Sequence, residues 1–257
     1  MSHVQNIKAA SAVCYGRHEP DTRSPLIRKL EAFVFLSRQD RTALEQLSAG
    51  ARLVEPRTDL QRDGEMATDA VLVLDGFACR YKHRVTGDRQ ILAYLLPGDL
   101  CDVDAPHLGR MDHAVGTLST CLVARISRET LATLMAQQPT VARALRLAKL
   151  AEEATAREWL VNLGTRSAAE RMSHLFCELL TRLEAVGLAE DDGCKLPITQ
   201  LDLADTLGLS SVHVNRTLQE LRSRGLVELR GRSLKLRDLP SVRALAEFSP
   251  AYLRPAH

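Results

Sequence analysis

Between Ser210 and Leu221 the chain sets out polar side chains whose spacing suits the reading of base edges. Val214, Leu218 and Leu221 recur at four and three residues, so they fall on one inward helical face. Ser211, His213, Asn215, Arg216 and Gln219 are left outside, with Val212 beside them, and Ser210 stands where it can cap the helix. Hydroxyl, carboxamide, imidazole and guanidinium groups match the donors and acceptors of the major groove, which is wide enough to admit a helix. The preceding stretch must position this helix. Thr199 can cap an earlier one, Asp202 adds negative charge to its first turn, and Leu203, Ala204 and Leu207 share a face until Gly208 breaks the pattern. The spacing predicts helix, tight turn, helix, a pattern that an ordinary helical hairpin in a core would also give.

The residues downstream of this helix favour nucleic acid. Gly225 stops the helix, and Val227 and Leu229, then Leu234 and Leu236, alternate with charged residues around Gly231, as two short strands of a hairpin do. From Ser210 to Arg237 seven basic residues (Arg216, Arg222, Arg224, Arg230, Arg232, Lys235, Arg237) face only Glu220 and Glu228, a local charge of +5 in a chain of +2. A helix-turn-helix followed by a basic hairpin is a winged helix, and a local positive field is what phosphate binding requires. The expected partner is double-stranded DNA, with Arg230 and Arg232 on phosphates.

At 257 residues, 45% hydrophobic and 26% charged, the chain can hold two modest domains with their own cores. No segment approaches a membrane span; Ile91-Leu-Ala-Tyr-Leu-Leu is a buried-strand candidate. Met1 to Ala12 lacks the apolar core of a secretory signal. Six cysteines (14, 79, 101, 121, 177 and 194) are scattered without a CxxC pair, which argues for reduced thiols in a cytoplasm. A Gly-rich phosphate loop, a nucleophile elbow and an HExxH motif are all missing, so an enzyme is not expected.

Residues 1–24 read as a loose polar arm. Leu26, Leu30 and Phe33, then Asp40 to Leu47, suggest short helices. From Arg52 to about Ile126, β-rich runs such as Val71-Leu-Val-Leu, Phe77-Ala-Cys-Arg-Tyr, Gln90-Ile-Leu-Ala-Tyr-Leu and Cys121-Leu-Val-Ala-Arg-Ile alternate with glycines, the texture of an antiparallel sandwich or barrel. Arg128 to Leu163 is helical in pattern, with a break expected at Pro139. Leu147, Ala151, Ala154, Glu158 and Val161 then recur at four and three residues, the stripe of a dimerisation seam; simple packing on the β domain is the alternative. A helix from Ala168 to Val186 has Met172, Leu175, Leu179 and Leu183 on its core face.

From about Leu26 to Phe248 the chain resembles the Crp/Fnr family of bacterial transcription regulators. The resemblance rests on Val71-Leu-Val-Leu-Asp-Gly, Leu96-Pro-Gly-Asp, the long central helix and, most specifically, Leu207-Gly-Leu-Ser-Ser-Val-His-Val-Asn-Arg-Thr-Leu. It implies an α+β fold: an N-terminal antiparallel β-roll, jelly-roll-like or a double-stranded β-helix, over residues 25–127, and a dimerisation helix over 128–164. A C-terminal winged helix-turn-helix then occupies 165–257. It also implies a homodimer on a two-fold operator, with RNA polymerase as a partner if the protein activates.

Departures from the family pattern bear on the signal. Cyclic-nucleotide-binding members hold ribose and phosphate with a Gly-Glu pair and a downstream Arg-Ser or Arg-Thr. Here Gly98-Asp99 is set against the former and Met111-Asp112 against the latter, with Arg110 one residue away. These five are the candidate ligand pocket. Asp112 beside a phosphodiester is unfavourable in a partly buried site, which argues against cyclic AMP. Oxygen-sensing members hold an iron–sulfur cluster on several N-terminal cysteines, whereas this chain has only Cys14 there, too few thiolates. Haem-binding members use a roll histidine or cysteine, which keeps His83, Cys79 and His113 open. Cys101, Asp102, Asp104, His107, Asp112 and His113 crowd thirteen residues with metal-ligand types, but their spacing matches no regular zinc pattern. A polar exposed loop is the favoured reading, and Cys101 and His107 are the first candidates should a metal, haem or redox signal enter there. The cofactor is left unknown.

In the reading helix, Arg216 matches the arginine that family members direct at a guanine, and bidentate contact to O6 and N7 suits that residue type. Ser211 and Val212 occupy the two variable reading positions, and Val212 can pack on a thymine methyl where family members often place a glutamate. A ligand-independent DNA binder whose roll only supports the dimer is the other function class in play.

Overall fold

The computed structural model describes residues 23–104 and 109–254; Cys14, His107 and most of the N-terminal arm lie outside the described residues. Among the described residues two short helices come first, α1 (Pro25–Glu31) and α2 (Arg38–Gln46), the second closed by a capping box between Ser37 and Asp40. Eight strands then form two four-stranded antiparallel sheets. One is ordered β1-β8-β3-β6, from β1 (Arg52–Val54), β3 (Asp69–Asp75), β6 (Leu100–Cys101) and β8 (Cys121–Ser127). The other is ordered β2-β7-β4-β5, from β2 (Asp59–Gln61), β4 (Ala78–His83), β5 (Arg89–Leu95) and β7 (Ala114–Thr117). Val71, Val73, Ala78, Leu95, Val115 and Val123 fill the space between the sheets. This is the expected β-roll. Gly76 is required at its turn: φ is +83°, and a Cβ there would lie 2.3 Å from the Thr120 carbonyl oxygen.

The helical region after the roll is two helices. Ser127 caps α3 (Arg128–Gln137), and α4 (Pro139–Thr165) starts afresh at the proline. Gln138, directly before it, leaves the helical region at φ −125° and ψ 80°, as the ring of a following proline favours. The break expected at Pro139 is present, so the long central helix within the 128–164 region is Pro139–Thr165. It carries Val141, Ala144, Leu145, Ala148 and Ala151 against the roll and α1.

The C-terminal part opens with α5 (Ala168–Glu184), closed by a Ser167–Glu170 capping box. After it come a small hairpin, β9 (Ala189–Glu190) and β10 (Gly193–Lys195), then α6 (Gln200–Leu207) and α7 (Ser211–Ser223). The wing follows as β11 (Val227–Arg230) and β12 (Ser233–Leu236). The four strands form one sheet, β11-β12-β10-β9, so the wing is extended by a hairpin that the alternation pattern does not reveal. A further helix, α8 (Leu239–Ala246), packs on α5. The main core is shared: Phe77, Ile91, Tyr94 and Leu96 of the roll join Trp159 of α4 and Phe176, Leu203, Leu207 and Val214 of the C-terminal part.

Candidate nucleic-acid interface

The helix-turn-helix is held by local chemistry that the sequence states openly. The Thr199 hydroxyl accepts from the Asp202 amide, while the Asp202 carboxylate accepts from the Thr199 amide at 2.8 Å. Gly208 ends α6 in the left-handed conformation at φ +63°, and the Ser210 hydroxyl caps α7 by accepting from the His213 amide at 3.2 Å. Val214, Thr217, Leu218 and Leu221 are buried. Ser211, Val212, Asn215, Arg216 and Gln219 are exposed along one side, Val212 at 81%, while His213 is half-buried.

The wing stands beside this face. Val227 pairs with Leu236 and Leu229 with Leu234, and Gly231 makes the turn at φ +60°. Arg230 is exposed and lies 2.7 Å from a Glu228 oxygen, Arg237 pairs with the same glutamate, and Arg232 is exposed at the turn. Arg222 of α7 donates to the Leu229 carbonyl at 3.0 Å, fixing wing to helix. Sequence spacing does not single out Arg222, because its partner is a backbone atom of another element.

Two of the residues expected at the seam have partners within their own chain. Ala151 is buried in this chain's own core, and Glu158 lies 2.7 Å from Arg166 and 3.3 Å from His174. Leu147 and Ala154 are half-buried, and Val161 is 48% exposed. The apolar side chains that α4 leaves open include Leu150, at 47%, and Leu160, at 71%. A period of 3.6 does not say which of two neighbouring stripes meets the roll.

The candidate ligand residues do not converge. Gly98 sits at φ +93°, where a Cβ would lie 2.6 Å from the Pro25 carbonyl oxygen, so chain packing explains the glycine. Asp99 is buried and committed: it accepts from Lys29 at 2.6 Å, Arg182 at 2.8 Å and the Leu96 amide at 2.7 Å. Burial alone would raise its carboxyl, but Lys29 and Arg182 outweigh that and hold it below the ordinary range. Arg110 is exposed and donates to the Gly64 carbonyl, Met111 is buried against Ala67, and Asp112 is exposed beside His113. Gly98 lines a cavity of about 300 Å³ and Asp99 another of about 240 Å³; Arg110, Met111 and Asp112 line neither.

The cluster around Cys101 is less exposed than its polarity suggests. Cys101 and Asp102 are buried. Arg80 of β4 lies 3.3 Å from Asp102 and 3.2 Å from Glu152 of α4, and His113 Nε2 is 3.3 Å from the same Asp102 oxygen. Burial works to lower the His113 pKa, yet Asp102 and Asp112 outweigh it and raise it above its ordinary value. Burial also pushes the Cys101 thiol well above its ordinary value and that of Cys79 up to about 12, which disfavours the thiolate that ligation needs. His83 is exposed on β4, near the Gly87 carbonyl. Among the described residues, no three His, Cys, Asp or Glu side chains are grouped to hold a metal ion.

Residues 51–138 match the family model described as a cyclic nucleotide-binding domain, and residues 170–245 match that of a Crp-like helix-turn-helix domain. The nitrogen fixation regulation protein FixK of Azorhizobium caulinodans is 30% identical over 184 residues, covering 71% of this chain and 73% of that protein. FixK of Bradyrhizobium diazoefficiens is 29% identical over 182 residues, covering 71% and 76%. Among solved structures, FixK2 from Bradyrhizobium japonicum superimposes with a TM-score of 0.67 at 25% identity, over 77% of this chain and 98% of that one.

Proposed function

The chain belongs to the Crp/Fnr family of transcription regulators, and from that premise we propose how it reads DNA. Two copies, joined along the open stripe of α4, present their α7 helices to two half-sites of a two-fold operator. Arg216 takes a guanine through O6 and N7, Val212 packs on a thymine methyl, and Ser211, Asn215 and Gln219 add base or phosphate contacts. Ser210 and His213 hold the start of α7 at the groove. Arg230 and Arg232 in the wing take phosphates. The observation that carries this reading is the exposed polar face of α7 lying beside a basic wing. DNA as target puts the protein in the cytoplasm, and an activating role would bring it to RNA polymerase.

The test is selection of binding sites from random DNA, followed by titrations over a range of salt. Arg216→Ala is expected to cost about 1–3 kcal/mol and to relax the guanine preference. Arg230→Ala with Arg232→Ala should weaken all sequences alike and lower the salt slope by about two. Operator binding unaltered by Arg216→Ala would remove it as base reader, and a sequence-selective loss from the wing variant would contradict its phosphate role.

For the roll, cyclic AMP is a poor fit to these side chains: Asp99 is buried and already accepts three hydrogen bonds, and the position set against the phosphate-binding arginine is a buried methionine. A second reading, a ligand-independent binder, has support in the Arg80–Glu152 pair that already ties roll to central helix. Under it no metabolite alters operator affinity.

A further inference from the structure

Helix α6 is fastened to the β2-β7-β4-β5 sheet of the roll and the turn before it, by side chains that do not belong to the reading face. Its capping residue Asp202 is fully buried, and its carboxylate accepts five hydrogen bonds. Two come from Thr199 within the cap, at 2.8 and 2.7 Å. The other three come from the roll: Arg57 donates through Nη1 at 2.8 Å and Nη2 at 3.1 Å, and Arg89 Nη2 donates at 2.6 Å. Arg89 Nε reaches Asp205, one turn along α6, at 2.7 Å. Beyond it the Tyr94 hydroxyl meets Thr206 Oγ1 at 2.6 Å, and Gln90 donates to the Thr206 carbonyl at 3.2 Å.

Arg57 is placed for this contact at some conformational cost. It lies in the turn between β1 and β2 with φ +63°, a left-handed conformation that residues with a Cβ seldom adopt. Its amide donates to the Thr117 carbonyl at 2.9 Å, which fixes the turn so that the side chain extends toward α6. Burial alone would raise the Asp202 carboxyl, but the Thr199 and arginine hydrogen bonds hold it below its ordinary value, so it stays charged at neutral pH. In this docked pose Ser211, Val212, Asn215 and Arg216 remain open to solvent.

We propose that Arg57 and Arg89 are positioning residues for DNA reading, an inference that rests on the dimeric reading above. They hold each reader on its roll in one orientation, so the two α7 helices face successive major grooves, about 34 Å apart, before DNA arrives. A reader free to swing on the end of α4 has to be ordered at the moment of binding, and preorganisation removes that entropic penalty. Bidentate guanidinium–carboxylate pairs suit the task because their geometry fixes direction as well as distance.

The experiment uses the full-length protein, the selected operator and a duplex carrying one half-site. Arg57→Ala with Arg89→Ala is expected to weaken full-operator binding about tenfold or more, by the loss of preorganisation. Half-site affinity and the slope of affinity against salt should stay near those of the unaltered protein, since neither arginine touches DNA. Asp205→Ala leaves the capping box intact and should give a smaller loss of the same kind, which keeps the test open if the double variant folds poorly. Full-operator affinity retained in both variants overturns the proposal. An equal loss on the half-site with a reduced salt slope also overturns it, because the arginines would then be DNA contacts. Failure of the unaltered protein to select any DNA sequence would instead sink the function proposed above.

Discussion

His174 is buried on α5, its ring centroid 5.3 Å from that of Phe248 and 6.0 Å from that of Tyr252, with Nε2 3.3 Å from a Glu158 oxygen. Burial foremost, and Arg166 after it, push its pKa down to about 4, against the opposing pull of Glu158. The unfolded chain takes up this proton near the ordinary value of 6.5, the folded chain only near 4, so the unfolded state binds more protons between those values. Stability from this site is therefore complete above about pH 6.5 and lost progressively as pH falls toward 4, by on the order of 3 kcal/mol. Thermal melts from pH 7.5 to 5 should show Tm falling in the unaltered protein and a flatter profile in His174→Phe, which keeps a ring in the aromatic group. A profile unchanged by the substitution would assign the pH dependence to another group. Glu158 pairs with Arg166 and His174 of its own chain, and those partners are visible only once α4 and α5 are packed.

Helix α4 has two apolar stripes about a third of a turn apart, and the fold chooses between them. The stripe through Ala144, Ala148 and Ala151 meets the roll and α1, where small side chains allow close approach. The stripe with Leu150, Leu160 and Val161 is left open. Leu150→Asp with Leu160→Asp is expected to convert a dimer to a monomer in sedimentation equilibrium, with the melting profile of each chain's core little changed. Ala151→Leu should do the reverse: it overpacks the core, destabilises by about 1–3 kcal/mol and leaves the mass of the assembly alone. A dimer that survives the double aspartate variant would place the interface on another face.

Roll and reader share one core and several polar junctions. Tyr94 of β5 lies 6.1 Å from Trp159 of α4, ring to ring, and bonds to Thr206 of α6. Trp159 Nε1 donates at 2.9 Å to Glu178, which also accepts from Tyr252 at 3.0 Å and Arg182 at 3.2 Å, and Arg182 goes on to Asp99 in the roll. This continuity predicts a single unfolding transition. Trp159, the only tryptophan, should report the same midpoint by fluorescence as far-UV circular dichroism reports for the whole chain. Tyr94→Ala removes both the ring contact and the hydroxyl bond, and should lower stability by about 3 kcal/mol and separate the two midpoints. Two separated transitions in the unaltered protein would mean that the common core does not couple roll to reader.

The local rules of the chain by themselves determined the reading apparatus: the Thr199 and Ser210 caps, Gly208 at the end of α6, the buried series of Val214, Leu218 and Leu221, and the alternating wing strands. Caps, helical faces and turns depend on neighbours within a few residues, so they are legible before folding. The β-roll was legible as strand texture, but its shortest strands and the β9–β10 hairpin were too brief to show alternation. Tertiary structure alone decided which stripe of α4 faces inward and what the buried acids bind. Asp99 is set against Lys29 and Arg182, 70 and 83 residues away, and Asp202 against Arg57, 145 residues away. A carboxylate has the same chemistry whether it caps a helix, holds a ribose or anchors an arginine, and only the packing of distant faces selects its partner.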